Sequence, residues 1–507
     1  MLNQFNKLLL ILWAMLFAKE VLFWLWLAQL KEYLWSRLTA HFETQTLKKI
    51  VSSAWRMKRP KLTKKTIVLL LTCFFIETMI GFWAVSISGV AFYGLLLGTF
   101  VLSPIFVLLV VVCFQVLTWA IKKLVILKAT KKIKIFKDLI VIGITGSFGK
   151  TSTKEFLSVM LSGKFNILNT EKHTNAEIAI AKIILKNLKP EHQVFIAEIG
   201  AYNKKAIQDA CNMLKPKIGI LTGINSQHLS TFGSQEKIIA AKFKLIETLP
   251  SGGVAILNGD NAFVISNYMV AKNNNKLSDN RARSALSQIA NLNKKTKYIV
   301  CATKTGADVM ATDIKVEKEN LVFKVLTKAS ESCDFRVNVL GQQNIINILM
   351  AIACCLEMGM GLPEISQTCL KIKPENGSLQ VKKSQNGFNI IDSTYSANPD
   401  GVLADLDYLS LYEGKKILVM PCLIELGEVS KAIHEKLGRK IGEVCDLAII
   451  CSQDRFNEIK QGASNGKAEV LLIENPSDIF QKIAEFAKPN DTILLESRVP
   501  KVLLQAL

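Results

Sequence analysis

The spacing of apolar positions divides this chain in two. Up to residue 138 the hydrophobic side chains run together, and Leu8 to Leu30, Thr66 to Ser86 and Val90 to Ile121 are each long enough to cross a bilayer as a helix. The second and third stretches are joined by Ile87-Ser88-Gly89 and read as a helical hairpin, with a tilt or kink in the third at Pro104. The first is interrupted by Lys19 and Glu20. It reads as a third span that puts the N-terminus outside, with an interfacial helix carrying aromatic anchors as the alternative. No small-residue cleavage site follows it and a basic loop does, which argues against a cleaved signal peptide. Glu77, inside the second stretch, is expected to face a neighbouring helix or to snorkel toward water, with a lipid or proton site as the functional alternative.

From Leu139 the pattern changes to short β-branched runs alternating with stretches of helical period, as α/β layers require. The candidate strands are Leu139–Thr145, Val194–Glu198, Ile218–Thr222 and Val254–Asn258. A second set follows Pro374: Ile390-Ile391, Lys416–Met420, Leu447–Cys451, Val470–Ile473 and Thr492–Leu495. The break at Lys373-Pro374-Glu375-Asn376-Gly377 reads as a domain boundary. The expected organisation is a membrane region over 1–138, with spans at about 8–30, 66–86 and 90–121, followed by α/β domains over 139–373 and 374–507. The Asn/Lys/Ser-rich segment from Lys272 to Lys297 reads as a solvated excursion.

Charge and cysteine usage sharpen this picture. Of the +21 net charge, residues 1–138 carry +14, with 19 Lys and Arg against 5 Asp and Glu, and all seven tryptophans lie there too. Basic flanks from Lys31 to Lys65 and from Lys122 to Lys137 bracket the apolar pair, so both are expected on the cytoplasmic side of a multi-pass cell-membrane protein. This is the pattern of loops beside an anionic membrane lipid surface and not a nucleic-acid footprint. The eleven cysteines show no CxxC spacing, as reduced cytoplasmic thiols would, and outline neither a disulfide nor a zinc framework.

The chemistry begins at Val141-Ile-Gly-Ile-Thr-Gly-Ser-Phe-Gly-Lys-Thr-Ser-Thr153, a glycine-spaced loop between a strand and a helix. Glycines let backbone N–H groups turn to phosphate oxygens, Lys150 supplies a point charge, and the Thr151 hydroxyl can hold magnesium. Five residues separate Gly143 from Gly149, one more than the general phosphate-loop pattern allows. Glu198 ends a strand, where its carboxylate can meet the magnesium beside Thr151. His228 falls in Leu221-Thr-Gly-Ile-Asn-Ser-Gln-His-Leu-Ser-Thr-Phe-Gly233, ahead of a helix carrying Lys242. Taken singly, Glu198 reads equally as a solvated strand end and His228 as a satisfied loop histidine.

Taken in order, these segments resemble the Mur ligase family, and within it the branch that adds D-alanyl-D-alanine in peptidoglycan synthesis. The loop Thr145 to Glu155 is similar to that branch's ATP loop, and Gly341-Gln-Gln-Asn-Ile-Ile-Asn347 to its nucleotide-side helix opening. Asn169-Thr170 through Thr174-Asn175 resembles a substrate-facing stretch, Asp392-Ser-Thr-Tyr-Ser-Ala-Asn-Pro399 the branch's most characteristic motif, and Ile424 to Ser430 with His434 the next segment.

After the N-terminal transmembrane helices read from the apolar runs, the resemblance implies an α/β fold of a Mur-ligase P-loop ATPase domain and a C-terminal Rossmann-like domain. It implies ATP held by Gly146, Ser147, Gly149, Lys150, Thr151, Ser152, Asn344, Asn347 and Asp392. One magnesium would lie at Thr151 and Glu198, and a second at His228 and a carbamoylated Lys242; Lys150, His228 and Lys242 would be catalytic. Substrate would meet Thr170, Asn175, Tyr395, Asn398, Ser497 and Arg498. The activity implied is ATP-dependent ligation of a UDP- or lipid-linked muramyl peptide to D-alanyl-D-alanine, in cell-wall synthesis, cell shape and division, with wall-synthesis proteins as partners. The alternatives are a membrane-tethered nucleotide-binding scaffold and a ligase for another acceptor.

The chain departs from the family pattern where Ser393 replaces an aspartate, Ser378 an arginine and Gln343 a histidine, and where Leu495 and Glu496 replace a lysine and a glycine. It departs most at the N-terminus, where membrane segments stand in the position of a UDP-gripping domain.

Overall fold

The structure is a computed structural model, and it describes residues 4–30, 33, 59–87, 89–171, 174–200, 205–225, 229–272, 295–373, 379–384, 386–394, 398–424, 426–500 and 502–503. The chain forms two compact units, Met1–Val125 and Ile126–Leu507.

The first unit is helical: α1 (Gln4–Leu30), α2 (Lys64–Val85), α3 (Val90–Val101) and the start of α4 (Ser103–Ile133). Helices α1, α2 and α4 are long and apolar enough to cross a membrane. The stretch expected as a single span over 90–121 is instead two helices, and the third candidate span is α4. Pro104 has no N–H to continue the ladder, so the chain breaks at Leu102 and the proline falls in the first turn of α4, where a missing donor costs nothing. Helix α3, at 12 residues, reaches only about 18 Å. Helix α1 runs unbroken through Lys19 and Glu20, where Glu20 accepts the Trp24 indole N–H at 2.9 Å one turn on. Trp13, Phe17 and Val21 of α1 pack with Leu69 and Cys73 of α2, Phe92 of α3 and Val107 of α4. Glu77 is buried on α2.

The second unit holds two sheets. The first is built from β1 (Ile140–Thr145), α5 (Lys150–Leu161), β2 (Ile167–Asn169), α6 (Glu177–Asn187), β3 (Val194–Glu198), α7 (Ala206–Leu214), β4 (Ile218–Leu221), α8 (Leu229–Phe232), α9 (Gln235–Glu247), β5 (Val254–Asn258), α10 (Ala262–Lys272), β6 (Lys297–Ala302), β7 (Val309–Val316), β8 (Leu321–Thr327), β9 (Ser332–Val337), α11 (Asn344–Glu357) and α12 (Leu362–Cys369). Its order is β2-β3-β1-β4-β5-β6-β7-β8-β9. The pairings are parallel as far as β7, and β8 and β9 add an antiparallel meander. The buried strands are continuous apolar runs because helices cover them. Helix α11 is buried almost all round and packs with Phe156, Leu157 and Met160 of α5 in the core.

The second sheet is built from β10 (Gln380–Lys383), β11 (Asn389–Ser393), α13 (Pro399–Leu409), β12 (Lys416–Met420), α14 (Ser430–Val444), β13 (Leu447–Ile450), α15 (Phe456–Ala463), β14 (Glu469–Leu472), α16 (Pro476–Phe486) and β15 (Thr492–Glu496). Its order is β10-β11-β15-β12-β13-β14, parallel except for the edge strand β10. Every strand expected from the sequence is present within one or two residues, and β2 and β6 to β10 are additional. The polar residues that alternate along β7 to β9 dilute the apolar signal there. Most of the Asn/Lys/Ser-rich segment lies outside the described residues, at 273–294.

Helices α14 and α15 cross without side chains between them. A Cβ on Gly438 would lie 2.2 Å from the Ile459 carbonyl, and one on Gly462 would lie 2.2 Å from the Glu435 carbonyl. A Gly438→Ala substitution is therefore expected to force the pair apart and to lower the unfolding free energy by about 1–3 kcal/mol. Denaturant unfolding of the detergent-solubilised protein measures this, and an unchanged midpoint would disprove the contact.

Candidate active site

The site grows out of the C-terminal end of β1. Parallel register sets Ile144 beside Glu198 of β3 and Thr145 beside Leu221 of β4, so Glu198 and Thr222 flank the glycine loop from opposite sides. The strand order reverses around β1, which opens a crevice at these strand ends. Thr222 fastens the loop by donating its N–H to the Thr145 carbonyl at 2.9 Å and its hydroxyl to the Phe148 carbonyl. Ser147 donates its N–H to the Gly223 carbonyl at 2.7 Å, and its Oγ accepts the Asn225 N–H at 3.2 Å. Gly149 opens α5 at φ +75°, where a Cβ would lie 2.4 Å from Asn347 Oδ1. The unsatisfied N–H groups of the first turn of α5 then face the crevice end of the loop, an arrangement suited to an anion. Ser152 lies in that turn, half-buried.

Two lysines converge on one oxygen. Lys150 Nζ and Lys242 Nζ each donate to the Gly146 carbonyl at 2.9 Å, Lys242 reaching in from α9 with 5% of its surface exposed. Burial pulls the Lys150 ammonium below the ordinary lysine range, opposed by Glu198. Burial, and then the charge of Lys150, pull Lys242 well below it.

Facing them is a carboxylate set. Thr151 Oγ1 donates to Glu198 Oε2 at 2.9 Å. The Glu198 N–H donates to Thr170 Oγ1 at 3.0 Å, and Asn175 Nδ2 is 3.5 Å from Glu198 Oε1. Lys154, fully buried, bonds the Thr170 carbonyl at 2.7 Å and pairs with Glu155 at 2.8 Å and Glu198 at 3.9 Å. The sequence carries Lys154 within the loop motif without a role for it. Its signal is a lysine four residues after Lys150, on the face that α5 buries.

The asparagines of α11 complete the loop side. Asn347 Oδ1 accepts the Thr153 hydroxyl at 3.4 Å, while its Nδ2 donates to Asn344 Oδ1 at 3.2 Å and to the Gln343 carbonyl at 3.3 Å. From the second sheet, α13 docks nearby: Asn225 Nδ2 donates to Asp400 at 3.2 Å, Gln343 Nε2 to Asp405 at 3.2 Å, and Tyr408 Oη to the Lys318 carbonyl at 2.6 Å.

The remaining expected residues that are described have local partners of their own or are exposed. Asp392 Oδ1 accepts from Thr394 N–H and Oγ1 at 3.1 and 2.8 Å, so its carboxylate caps a local turn. Asn398 caps α13 by accepting the Gly401 N–H at 3.0 Å. Ser497 is buried with its hydroxyl on Glu496, and Arg498 is exposed. His434 is held by backbone at both ring nitrogens, accepting Leu423 N–H at 3.0 Å and donating to the Ser430 carbonyl at 2.7 Å. His228, Tyr395 and Ser378 lie outside the described residues. Thr222, Asn225 and Asp405 are not singled out by the sequence. Asp405 has a legible signal, an acid on the apolar stripe of α13 between Val402 and Leu409.

Comparison with known proteins covers both sheets. Residues 144–355 match the Mur ligase middle domain and residues 379–498 the Mur ligase glutamate ligase domain. The chain is 27% identical over 359 residues to the UDP-N-acetylmuramoyl-tripeptide–D-alanyl-D-alanine ligase of Synechocystis sp., covering 70% of this chain and 71% of that one. It is 26% identical over 362 residues to the Bacillus subtilis protein of the same name, covering 70% and 72%. Among solved structures, MurF from Acinetobacter baumannii superposes with a TM-score of 0.65 at 24% identity, covering 76% of this chain and 80% of that one. MurF from Thermotoga maritima in complex with ADP gives 0.60 at 22% identity, covering 76% and 83%.

The buried Lys154 supports the whole carboxylate side, since Glu198 is 2% exposed. Lys154→Met leaves that carboxylate without its nearest cation and is expected to lower the unfolding free energy by about 3 kcal/mol. Equilibrium unfolding in denaturant tests this, and a loss below about 1 kcal/mol would mean that Lys154 does not hold Glu198.

Proposed function

Because this chain belongs to the Mur ligase family, we propose that it is an ATP-dependent carboxylate–amine ligase of peptidoglycan synthesis, which adds D-alanyl-D-alanine to a muramyl peptide. The observation that carries this reading is the convergence of Lys150 and Lys242 on the Gly146 carbonyl beside the Thr151–Glu198 pair. A lysine ammonium at a glycine loop suits a polyphosphate, and a hydroxyl bonded to a carboxylate suits a hard divalent cation. In this reading residues 139–373 form the ATP-binding domain and 374–507 the Rossmann-like domain.

The peptide's terminal carboxylate attacks the γ-phosphorus of ATP, giving an acyl phosphate and ADP. The amine of D-alanyl-D-alanine then adds to the acyl carbon, the nitrogen loses a proton, and phosphate leaves as the amide forms. Lys150 neutralises charge on the transferred phosphoryl group. Magnesium, when bound, neutralises phosphate charge, and Thr151 and Glu198 supply oxygen donors for it. Lys242 as an ammonium would repel a cation. Its lowered basicity, from burial and then from Lys150, favours the neutral amine, the form that captures carbon dioxide as a carbamate. The carbamate is an oxygen ligand, with His228 as the expected partner at a second magnesium. Thr170 and Asn175, bonded around Glu198, are the groups expected to meet substrate on this side of the site.

Helices α1, α2 and α4, with their basic flanks, support a multi-pass protein of the cell membrane whose second unit is cytoplasmic. Three crossings put the N-terminus outside. That anchoring favours, as a second reading of the acceptor, a lipid-linked muramyl peptide presented at the membrane surface.

Phosphate release is expected only when the solubilised protein, with ATP and magnesium, receives both the muramyl tripeptide, UDP- or lipid-linked, and D-alanyl-D-alanine. Mass spectrometry then identifies the pentapeptide. Lys150→Ala should lower kcat/KM by roughly 10²–10³-fold. Stripping carbon dioxide should lower activity, and bicarbonate should restore it in the native protein but not in Lys242→Ala. Nucleotide binding without coupled product from either acceptor would replace the ligase with a membrane-tethered scaffold.

A further inference from the structure

Three positions at which this chain departs from the family pattern, Gln343, Ser393 and Glu496, meet in one place. Gln343 Nε2 donates to Asp405 Oδ1 at 3.2 Å, and the Ser393 hydroxyl donates to Asp405 Oδ2. The amide of Gln343 lies over Gly341, whose φ of +84° and missing Cβ leave it room, since a Cβ there would be 2.4 Å from Gln343 Oε1. Glu496, at the end of β15, is fully buried, accepts the Ser497 hydroxyl on Oε1 at 3.1 Å, and has no partner for Oε2 in its ionised form. Parallel register sets Glu496 beside Ser393 on the next strand, and the carboxyl that acts on it is that of Asp405, itself 3% exposed.

We infer that Asp405, Glu496, Ser393 and Gln343 form a unit that shares one proton between its two carboxyls and acts, through Asn347, as a set of positioning residues for the phosphate loop. The hydrogen-bond inventory assigns the proton. Asp405 as a carboxylate accepts from Gln343, from Ser393 and from a protonated Glu496 Oε2, and the orphaned oxygen thereby becomes a donor. The path to the loop is continuous. Gln343, held by its side chain to Asp405, offers its backbone carbonyl to Asn347 Nδ2 at 3.3 Å. Asn347 Oδ1 in turn packs against Gly149 and receives the Thr153 hydroxyl. Loss of the shared proton sets two carboxylates against each other in a buried site and pushes Asp405 away from Gln343.

Neighbouring charges do not relieve that repulsion. On α13 Asp400 is bonded to Asn225 and Asp407 is paired with Lys440 of α14. His434 of α14 is bonded to backbone, Asp392 of β11 faces Thr394, and Arg498 is exposed. Among the described residues no cation pairs with Asp405 or Glu496. Burial, then Asp405, raise Glu496 well above the usual carboxylate range, and burial raises Asp405. The folded protein therefore holds more protons than the unfolded chain. The contribution of the pair to stability is full below the ordinary carboxylate pKa and is lost as pH rises toward the raised folded values.

This inference rests on the reading of the glycine loop as a nucleotide site. The test measures ADP affinity of the full detergent-solubilised chain by calorimetry, and its thermal midpoint, from pH 6 to 9 in the native protein, Glu496→Gln and Gln343→Ala. The amide introduced by Glu496→Gln can donate to Asp405 without ionising. In the native protein the ADP dissociation constant is expected to rise at least about fivefold across this range. In Glu496→Gln that rise should shrink to about twofold or less, and the alkaline fall of the midpoint should flatten. Gln343→Ala should weaken ADP at pH 6 by about tenfold while keeping the alkaline fall of the midpoint, which separates loop positioning from folding. Glu496→Gln following the native pH dependence in both measurements would overturn the shared proton, and native ADP affinity in Gln343→Ala would overturn the path. A chain that binds no ADP at any pH would refute the nucleotide reading instead, and the midpoint comparison would then decide the shared proton alone.

Discussion

The structure depends on two lysine side chains that meet on one backbone oxygen. Lys150 and Lys242 both rest on the Gly146 carbonyl, and Lys154 lies a turn further along α5, fully buried. One neutral oxygen does not repay the desolvation of an ammonium group beside it, and the lowered basicity of Lys242 relieves part of that cost. The arrangement persists because a sheet of buried parallel strands fixes the end of β1, and because Glu198 and Glu155 return part of the balance. A dianionic or trianionic phosphate would complete it. The loop is thus built at a local cost that the folded scaffold carries and a ligand removes, as in preorganised anion sites generally.

Helix α13 shows how that scaffold extends into the second sheet. It meets Asn225, whose backbone holds Ser147, it meets Gln343, whose backbone holds Asn347, and it meets the turn between β7 and β8 at Lys318. Two of these three attachments lie one residue from a contact with the phosphate loop or its helix. Geometry around the nucleotide is therefore a property of both sheets together. Residues that look like independent departures from a family pattern, Gln343, Ser393 and Glu496, gather around one carboxylate, Asp405.

Much of this is legible in the sequence. The alternation of apolar runs locates nine of the fifteen described strands, and the glycine loop with its Lys-Thr pair locates the site, because each rests on local chemistry within a dozen residues. What the sequence hides is non-local. Strands β7 to β9 bury alternate residues only, and their polar faces dilute the apolar signal. The contacts of Thr222 with the loop and of Asp405 with Gln343 join residues 74 and 62 positions apart, a relation that composition and period cannot carry. Pro104 reads as a kink and is a helix boundary, because a proline two residues into a new helix is indistinguishable in sequence from one inside a bent helix. Asp392, adjacent to the missing aspartate, accepts from Thr394 on Oδ1, a local turn that the sequence does not announce.

The position of β15 sets a timetable for synthesis. It is the last described strand in chain order, yet it lies between β11 and β12 in the middle of its sheet, pairing Asn389 with Thr492 across 103 residues. While a ribosome works through that interval, at about 5–20 residues per second, β10–β11 waits with an open edge for roughly 5–20 s, and β12–β14, complete only at Leu472, for about 1–4 s. Only when β15 is inserted do the fragments become one sheet, and the same event delivers Glu496 to Asp405. Closure of the sheet and completion of the acid pair are thus a single step in the history of each molecule, and a nascent chain that pauses in this interval offers unpaired strand edges to whatever chaperone or protease is nearby.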